Sequence, residues 1–402
     1  MPRTLTEHTK SIVRATVPAL AEHGAAITAA MYGRLFQNED VKALFNQSNQ
    51  GGEGRQTHAL AHAILAYAQN IDNLEVLTAA VERISQKHVS LRILPEHYPH
   101  VASALLAAIE DVLGHAATDE ILTAWGEAYW FLAEILMGRE ETIYTEQAAA
   151  EGGWTGWRDF VVESKQRESS IISSFVLRPA DGGPVSRHLP GQYITLLLPV
   201  PGKAPQRRNY SISSGPNDHT YRITVKREPH GVVSSILHDQ VQEGDRVFLA
   251  PPSGDFFLAH DTARPIVLLS GGVGLTPMVS MLESIIEDGT SAPLFFVHAT
   301  QHGDVHAMGD HVRALADIHP EIRAAVFYTS PRDGDEHGRH YDHSGRIDME
   351  WLSSNTPLAE AEFYLCGPKG FLSAMVGGLA SQGVDNSRIH YEFFGPAVEL
   401  AL

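Results

Sequence analysis

Residues 265–277 read PIVLLSGGVGLTP, an apolar run followed by a turn with three glycines and by a segment of helical periodicity that starts near Pro277. A buried strand that runs directly into such a turn is typical of the first strand and helix of a parallel, doubly wound sheet. The backbone of the turn can approach a pyrophosphate, and the N-terminus of the next helix favours its charge. Alone the turn is a weak signal, since Gly272-x-Gly274-x-x-Pro277 lacks the last small residue of the dinucleotide fingerprint and also fits an ordinary tight turn.

Strands and helices continue to alternate after this turn. Strands are predicted over residues 266–269, 294–298, 324–328 and 363–365, and helices are predicted to end near residues 288, 316 and 382. This alternation predicts an α/β domain with a parallel sheet over residues 263–402.

Two observations bear on the ligand of this domain. Cys366-Gly367-Pro368 follows a later strand at the same edge of the sheet, where a thiol can lie beside a nicotinamide ring. A single cysteine is as often a small buried hydrophobe, so both interpretations of Cys366 stay open. The segment between Ala299 and Ala307 contains no Lys or Arg to receive a 2′-phosphate, which favours NADH over NADPH.

Residues 148–262 have the short strands of a small antiparallel β-barrel. The strands are predicted over residues 160–165, 171–177, 192–198, 221–227 and 247–250. A further strand carries Arg208-x-Tyr210-Ser211, and alternation places Arg208 and Tyr210 on one face. There the guanidinium can bind phosphate and the phenol ring can stack on a planar ligand, although Arg and Tyr are also common on exposed strand faces.

Residues 1–147 are predicted to be all helix, because apolar residues return every three or four positions, as in Val101 and Leu105. Pro95 and the cluster Gly51-Gly52-Glu53-Gly54 interrupt this pattern. We therefore expect helix boundaries at both places.

One histidine of this half has a position that suits a metal ligand. His88 lies on an apolar stripe with Val81, Ile84 and Leu91, where a neutral imidazole can bind iron through one nitrogen. Most histidines on such a stripe are core residues with satisfied hydrogen bonds. His88 alone therefore leaves both interpretations open.

The composition bears on the class of partner. The 402 residues include 48 acids and 30 bases, and the formal charge of -18 argues against nucleic acid and anionic membranes and favours small neutral ligands. A single cysteine excludes an intrachain disulfide framework. The chain opens without the apolar core of a signal peptide and contains no apolar run of roughly 20 residues, so we expect a soluble, cytoplasmic protein.

Taken together, the motifs of residues 148–402 resemble the ferredoxin reductase family, whose members bind FAD on a barrel and a nicotinamide nucleotide on the α/β domain that follows. Residues 1–147 resemble the globin domain of a flavohaemoglobin, with Phe45-Asn46-x-Ser48-Asn49-Gln50 and Lys87-His88 as a close match. This resemblance covers essentially the whole chain. It implies a multidomain fold with an all-α globin domain (1–147), an antiparallel β-barrel FAD domain (148–262) and an α/β doubly wound NAD-binding domain (263–402).

For the reductase half, the resemblance implies a set of cofactor contacts. Residues 231–235 would cap the FAD pyrophosphate, and Phe394, in Glu392-Phe393-Phe394-Gly395, would cover the isoalloxazine. Ser235 stands where the family often has Asn, which departs from the pattern. Phe256-Phe257 is a secondary candidate. The set assigned to FAD and the nicotinamide coenzyme comprises Tyr193, Arg208, Tyr210, Ser211, Ser234, Gly271, Gly272, Gly274, Thr276, Pro277, Cys366, Gly367, Pro368, Glu392 and Phe394.

For the globin half, the resemblance implies that His88 is the proximal ligand of haem b. Glu140 and Tyr98 would hydrogen-bond its other ring nitrogen and push electron density toward the iron, which favours O₂ activation over storage. On the distal side, Tyr32 and Gln56 would donate hydrogen bonds to O₂. The haem wall would include Lys87 together with Phe45 and Leu60, both of which also fit plain helix packing.

The activity that the resemblance implies is nitric oxide dioxygenase: electrons pass from NADH, with NADPH as a second coenzyme, through FAD to haem iron, and NO and O₂ become nitrate. We expect a monomer that needs no membrane, with NO and O₂ as small-molecule partners and lipid as a further possible occupant of the distal pocket. Two rival interpretations stay open. One is an O₂ or NO carrier or sensor with self-reducing iron, and the other is a reductase that acts on peroxides or quinones.

Overall fold

The computed structural model of this protein describes residues 4–45, 55–259, 264–289 and 292–395, without the side chains of Arg55, Gln56 and Lys203. The cluster Gly51-Gly52-Glu53-Gly54, predicted as a helix boundary, lies outside the described residues. The chain forms a helical domain, an antiparallel barrel and a parallel α/β domain in that order. The predicted fold class is thereby confirmed.

The described part of residues 4–149 is a bundle of helices. They are α1 (Glu7–Ala15), α2 (Val17–Leu35), α3 (Glu39–Lys42), α4 (Arg55–Gln69), α5 (Thr78–Ser90), α6 (Tyr98–Leu113) and α7 (Asp119–Ala149). The Thr118 hydroxyl accepts a hydrogen bond from a first-turn N–H and starts α7, while Pro95 begins a short 3-10 turn ahead of α6, at the predicted boundary. Helix α2 packs against α4 and α6, and Ile27, Met31 and Ile109 are buried in the shared core.

The barrel is a six-stranded antiparallel sheet. Its strands are β1 (Arg158–Arg167), β2 (Ile172–Pro179), β3 (Tyr193–Val200), β4 (Lys203–Ser211), β5 (Tyr221–Lys226) and β6 (Arg246–Leu249), and one helix, α8 (Val232–Asp239), follows β5. The strand order is β4-β3-β6-β1-β2-β5, and a bridge between Ile212 and Ile223 joins the two outer strands. Alternate residues such as Phe160, Phe175 and Leu196 fill the interior.

The last domain is a six-stranded parallel sheet with helices on both faces. Its elements are β7 (Ile266–Gly271), α9 (Leu275–Asp288), β8 (Leu294–Thr300), α10 (Gly309–Ile318), β9 (Ile322–Tyr328), β10 (His343–Ser344), α11 (Met349–Asn355), β11 (Glu362–Cys366), α12 (Lys369–Ser381) and β12 (Ile389–Glu392). The order is β10-β9-β8-β7-β11-β12. The short elements β10, α11 and β12 were not predicted, because two to seven residues are too few to establish a period.

Two turns meet at the carboxyl edge of this sheet. Strand β7 pairs with β11, with Ser270 opposite Cys366, so that the turn after each strand faces the other. A Cβ on Gly274 would overlap the Cys366 carbonyl oxygen, and a Cβ on Gly367 would lie 3.1 Å from the Gly271 nitrogen. The glycines therefore permit close contact between the two turns.

Polar contacts join the barrel to the α/β domain. Glu283 of α9 accepts hydrogen bonds from Arg222 of β5 at 2.6 Å and from the Gly215 N–H at 2.6 Å, and it lies 2.8 Å from His311 of α10. Burial alone would raise the pKa of Glu283, but these partners outweigh it and hold the pKa below its ordinary value. The Glu283 carboxylate thus joins α9 and α10 of the α/β domain to β5 and Gly215 of the barrel.

The barrel also contacts the helical domain. Gln147, near the end of α7, donates to the Pro252 carbonyl at 2.9 Å, and the Gly254 N–H donates to Gln86 of α5 at 3.0 Å. Both partners lie in the loop after β6, so this loop holds two helices of the first domain. Among the described residues, no helix is both long enough and apolar enough to span a bilayer.

Substitution Gly274→Ala tests the contact between the two turns. The added methyl would overlap the Cys366 carbonyl oxygen, so we expect the free energy of unfolding to fall by about 1–3 kcal/mol. Gly377→Ala in α12 is the matched control, because its Cβ meets nothing within 4 Å. The higher helix propensity of Ala should raise the free energy of unfolding of this variant by about 0.5–1 kcal/mol. Urea unfolding followed by circular dichroism measures both variants. Equal stability of the two would contradict the proposed close contact.

Candidate functional site

His88 forms part of a hydrogen-bonded set that joins three helices. Its Nδ1 lies 2.7 Å from Oε1 of Glu140 and 3.1 Å from the Tyr98 hydroxyl, which itself donates to the same Glu140 oxygen at 2.6 Å. Because a carboxylate can only accept, the proton lies on Nδ1 and leaves the Nε2 lone pair free to bind a metal. Burial, and then the charge of Glu140, raises the pKa of Tyr98, which stays a neutral donor.

Tyr32 belongs to a cluster of three aromatic rings. Its ring stacks on Phe36 with centroids 5.3 Å apart and meets Phe45 edge-on at 5.7 Å, while Phe36 and Phe45 are 5.2 Å apart. Leu60 of α4 is partly buried against the same core. The Gln56 side chain and the motif that follows Phe45 lie outside the described residues.

These two groups of residues fit an iron porphyrin. A neutral imidazole with a free Nε2 lone pair is an iron ligand, and a carboxylate behind Nδ1 fixes its orientation. The rings of Tyr32, Phe36 and Phe45 form an apolar cluster of the kind that a porphyrin ring packs against. The fit rests on the chemistry of the side chains that the structure describes.

In the barrel, the predicted box lies at the end of β4. Arg208 pairs with Leu196 of β3 and Tyr210 with Ile194, so the two side chains share one face of the sheet as predicted. Burial raises the pKa of Tyr210 and the nearby Arg208 charge opposes that rise, which places the cation beside the phenol. Ser211 is buried at the strand end. A cation, a ring and a hydroxyl together suit a flavin nucleotide.

The segment before α8 offers a site for phosphate. The Ser234 hydroxyl accepts from the Glu228 N–H at 3.2 Å and donates to the Gly231 carbonyl at 3.3 Å, so it fixes the first turn of the helix. The N–H groups of that turn can then bind an anion. Ser235 lies one residue further along the helix and is half-buried.

The glycine-rich turn connects β7 to α9. Gly272 has a positive φ of 55°, and a Cβ built on it meets nothing within 4 Å, so the turn presents backbone to an open space. The Thr276 hydroxyl, in the first turn of α9, donates to the Val273 carbonyl at 3.1 Å, and Pro277 next to it is buried. Pro368 caps α12.

Cys366 is fully buried at the end of β11. Burial, and then the charge of Glu392 on the neighbouring strand, raises the pKa of its thiol. The thiol is therefore neutral, and its packing agrees with the interpretation as a small buried hydrophobe. Phe394 is 48% exposed two residues beyond Glu392, and Phe257 is 39% exposed, which leaves both rings free to contact a planar cofactor.

Glu392 lies where the three domains meet. Burial raises its pKa to about 7, Lys87 and Arg83 of α5 oppose the rise, and Asp255 of the barrel adds to it. Arg83 pairs with Asp255 across the domain boundary at 3.3 Å. The carboxyl is thus flanked by the helix that carries His88 and by the barrel loop.

Known proteins share this arrangement over the whole chain. Family models for globins, for the oxidoreductase FAD-binding domain and for the oxidoreductase NAD-binding domain match residues 29–136, 159–258 and 268–376. A flavohemoprotein of Xylella fastidiosa is 52% identical over 399 residues, which cover 99% of both chains. One of Rhizobium meliloti is 46% identical over 98% of both. This chain belongs to the flavohaemoprotein family.

Solved structures agree with this membership. A flavohemoglobin of Malassezia yamatoensis with bound FAD and haem has a TM-score of 0.87 at 27% identity, covering 97% of this chain and 100% of that one. The FAD/NAD-binding domain of nitric oxide dioxygenase from Vibrio cholerae has a TM-score of 0.55 at 39% identity, covering 60% of this chain and 99% of that one. The family predicted from the sequence motifs is confirmed.

Sequence reasoning missed two features of this flavohaemoprotein site. Phe36 lies one helical turn after Tyr32, a spacing that brings two rings together and could have indicated the pair. Asp255 and Arg83 flank Glu392 from different domains. They leave no local pattern, because they are far apart in the chain.

Substitution Glu392→Gln tests the raised pKa of this carboxyl. In the native state the pKa of Glu392 is about 7, against an ordinary value of 4.5. Protonation of this carboxyl therefore stabilises the fold fully below about pH 4.5, and this contribution is lost as the pH rises through 7. We expect wild type to lose stability relative to Glu392→Gln between about pH 4.5 and 7. Thermal unfolding across this range measures it, with exposed Glu360→Gln as control. A pH slope shared by all three proteins would refute the assignment.

Proposed function

We propose that this flavohaemoprotein is an NAD(P)H-dependent nitric oxide dioxygenase, which passes electrons from the coenzyme through FAD to haem iron and converts NO and O₂ into nitrate. The hydrogen-bonded set of His88, Tyr98 and Glu140 carries the proposal, because a carrier of O₂ does not require a carboxylate behind its iron ligand. Each NADH delivers two electrons, so two NO and two O₂ give two nitrate ions, NAD⁺ and one proton.

The globin residues orient and tune the iron site. When bound, haem supplies an iron that binds O₂, and FAD converts a two-electron donor into a source of single electrons. Glu140 keeps the proton on Nδ1 of His88, and Tyr98 holds the carboxylate in place. The partial negative charge on the imidazole favours O₂ activation. On the distal side, Tyr32 donates a hydrogen bond to the ligand, and Gln56 is proposed to do the same.

The reductase residues hold the two nucleotides. Arg208 and Tyr210 bind the flavin phosphate and ring, Ser211 and Ser234 complete its site, and Phe394 covers the isoalloxazine. The glycine-rich turn at 271–274 and the turn Cys366-Gly367-Pro368 bind the nicotinamide nucleotide. In this proposal the glycine turn around Gly272 takes the pyrophosphate, and the turn after Cys366 takes the nicotinamide side.

We also propose NADH as the preferred coenzyme. Residues 299–307, at the end of β8, contain no Lys or Arg. Arg332, from the loop after β9, does reach this segment, but it pairs with Asp304 at 2.7 Å and its charge is matched. A carboxylate here suits a ribose hydroxyl better than a 2′-phosphate. The ratio of kcat/KM for NADH and NADPH tests this preference, and a ratio near one would refute it.

Several further assignments belong to the same proposal. The domain boundaries fall after residues 147 and 262, with α7 continuing across the first to Ala149. The chain acts as a cytoplasmic monomer on NO and O₂, with lipid as an alternative occupant of the distal pocket. Size-exclusion chromatography with light scattering tests the monomer, and extraction with mass spectrometry tests the lipid.

Aerobic NO consumption by the protein loaded with haem and flavin tests the activity. With NADH present, we expect rapid loss of NO at an electrode and about one nitrate formed per NO. Slow loss that does not depend on NADH would support the carrier or sensor. NADH oxidation that does not depend on NO would support a reductase of peroxides or quinones.

Substitution Glu140→Gln tests the carboxylate behind His88. It removes the negative charge that polarises the imidazole, so we expect NO turnover to fall about tenfold or more and the iron–histidine stretching frequency of the ferrous protein to fall as well. Glu141→Gln, an exposed neighbour on α7, is the matched control. Resonance Raman spectroscopy and the NO electrode measure the two effects. An unchanged frequency would remove Glu140 from this role.

Substitution Tyr32→Phe tests the distal donor. The phenol hydrogen bond contributes roughly 1–3 kcal/mol, so its loss should speed O₂ dissociation at least several-fold. The remaining ring can still stack on Phe36 and meet Phe45, which keeps the packing intact. Flash photolysis measures the off-rate, and a rate equal to that of wild type would exclude Tyr32 from the site.

A further inference from the structure

Arg207 connects the flavin strand to the helix that carries His88. It precedes Arg208 on β4, and alternation directs the two guanidiniums to opposite faces of the strand. Nη1 of Arg207 donates to the Leu91 carbonyl at 2.9 Å, at the C-terminal end of α5. The contact therefore joins strand β4 to a position three residues beyond His88.

The surroundings of Arg207 are those of a structural anchor. Its guanidinium lies over the Trp157 ring at 5.6 Å, and burial, together with the charge of Arg92, lowers its pKa. Within the described part of the chain, no carboxylate forms an ion pair with it. A partly buried cation without a counter-ion is costly, and the Leu91 carbonyl at the C-terminus of α5 and the ring of Trp157 offset that cost.

The backbone at this helix end is itself unusual. Arg92 has a positive φ of 60°, although it is not glycine, and its guanidinium lies over the Tyr144 ring at 5.1 Å. The Tyr144 hydroxyl donates to the Ile93 carbonyl at 2.9 Å. The strained turn after α5 is thus held by α7 on one side and by Arg207 on the other.

Other residues of α5 also contact the barrel. Arg83 pairs with Asp255 at 3.3 Å, and Gln86 accepts from the Gly254 N–H at 3.0 Å, both in the loop after β6. Ser90, the last residue of α5, contacts Tyr193 of β3. Arg207 is the contact that links β4 itself to the end of α5.

We propose that Arg207 is a positioning residue that fixes the His88 end of α5 against the flavin-binding strand and so sets the geometry for electron transfer. The proposal rests on the flavin and haem assignment above. In the step concerned, one electron leaves the reduced flavin and ferric iron becomes ferrous. A displacement of about 1 Å at such a site can slow the step strongly.

Two substitutions remove the anchor in different ways. Arg207→Met keeps the apolar stem of the side chain but loses the guanidinium that donates to Leu91 and lies over Trp157, and Arg207→Gln keeps an amide donor that is too short to reach the Leu91 carbonyl. Arg178→Met is the matched control, because Arg178 is an exposed arginine on β2. All proteins are compared as full-length chains with equal haem and flavin content.

The first measurement is anaerobic stopped-flow reduction by NADH. We expect the flavin to be reduced at the rate of wild type in every variant, while electron transfer from flavin to haem slows about tenfold in Arg207→Met and Arg207→Gln. The control should match wild type in both steps. Ferricyanide reduction should stay unchanged as well, since it needs only the reductase.

The second measurement is amide hydrogen exchange over residues 88–93 of the loaded protein. Loss of the anchor should speed exchange there about tenfold, with little change elsewhere. Haem reduction and exchange at wild-type levels in whichever Arg207 variant folds would overturn the proposal. Neither readout involves NO, so a protein that fails the NO test can still pass this one. If the flavin never reduces the haem in wild type, the fault lies in the proposed function.

Discussion

The buried carboxylate of Glu140 constrains the arrangement of the whole haem half. Burying a charge without partners costs several kcal/mol, and Glu140 is 2% exposed, so the fold must bring donors to it. They come from Tyr98, the first residue of α6, and from His88, near the end of α5. A single carboxylate on α7 therefore fixes two other helices and determines which nitrogen of His88 stays free.

Helices α5 and α7 also contact the barrel, and through it they are connected to the α/β domain. Helix α7 continues beyond Glu140 to Gln147, which contacts the loop after β6, and α5 contacts the same loop through Gln86. On the far side of the barrel, Glu283 joins the α/β domain to Arg222. The positions of the iron ligand, the flavin strand and the nucleotide turns are thus connected through packed elements and hydrogen bonds.

The parts of this arrangement that follow a local period could be predicted from the sequence. Turns with several glycines and the alternation of Arg208 and Tyr210 have patterns within a few residues, and resemblance to a family supplied the partners of His88. Pairs between distant segments could not be found in this way. Glu283 has no periodic relation to Arg222, because their contact depends on how two separately patterned domains dock. Very short elements such as β10 could not be predicted either, because two residues define no period.

Basic side chains gather at the junction of the three domains. Acids outnumber bases in the chain as a whole, yet Arg83, Lys87, Arg92 and Arg207 gather around the end of α5 and the barrel. Hydrogen bonds and ring contacts hold Arg92 and Arg207 in place, so they need little reorganisation when negative charge arrives. Because Glu392 has a pKa of about 7, this carboxyl can be neutral near physiological pH and then adds no opposing charge. Arg83 is paired with Asp255, and Glu140 lies 2.7 Å from His88, so the fixed positive charge that Arg92 and Arg207 add at the end of α5 offsets part of the negative charge of Glu140.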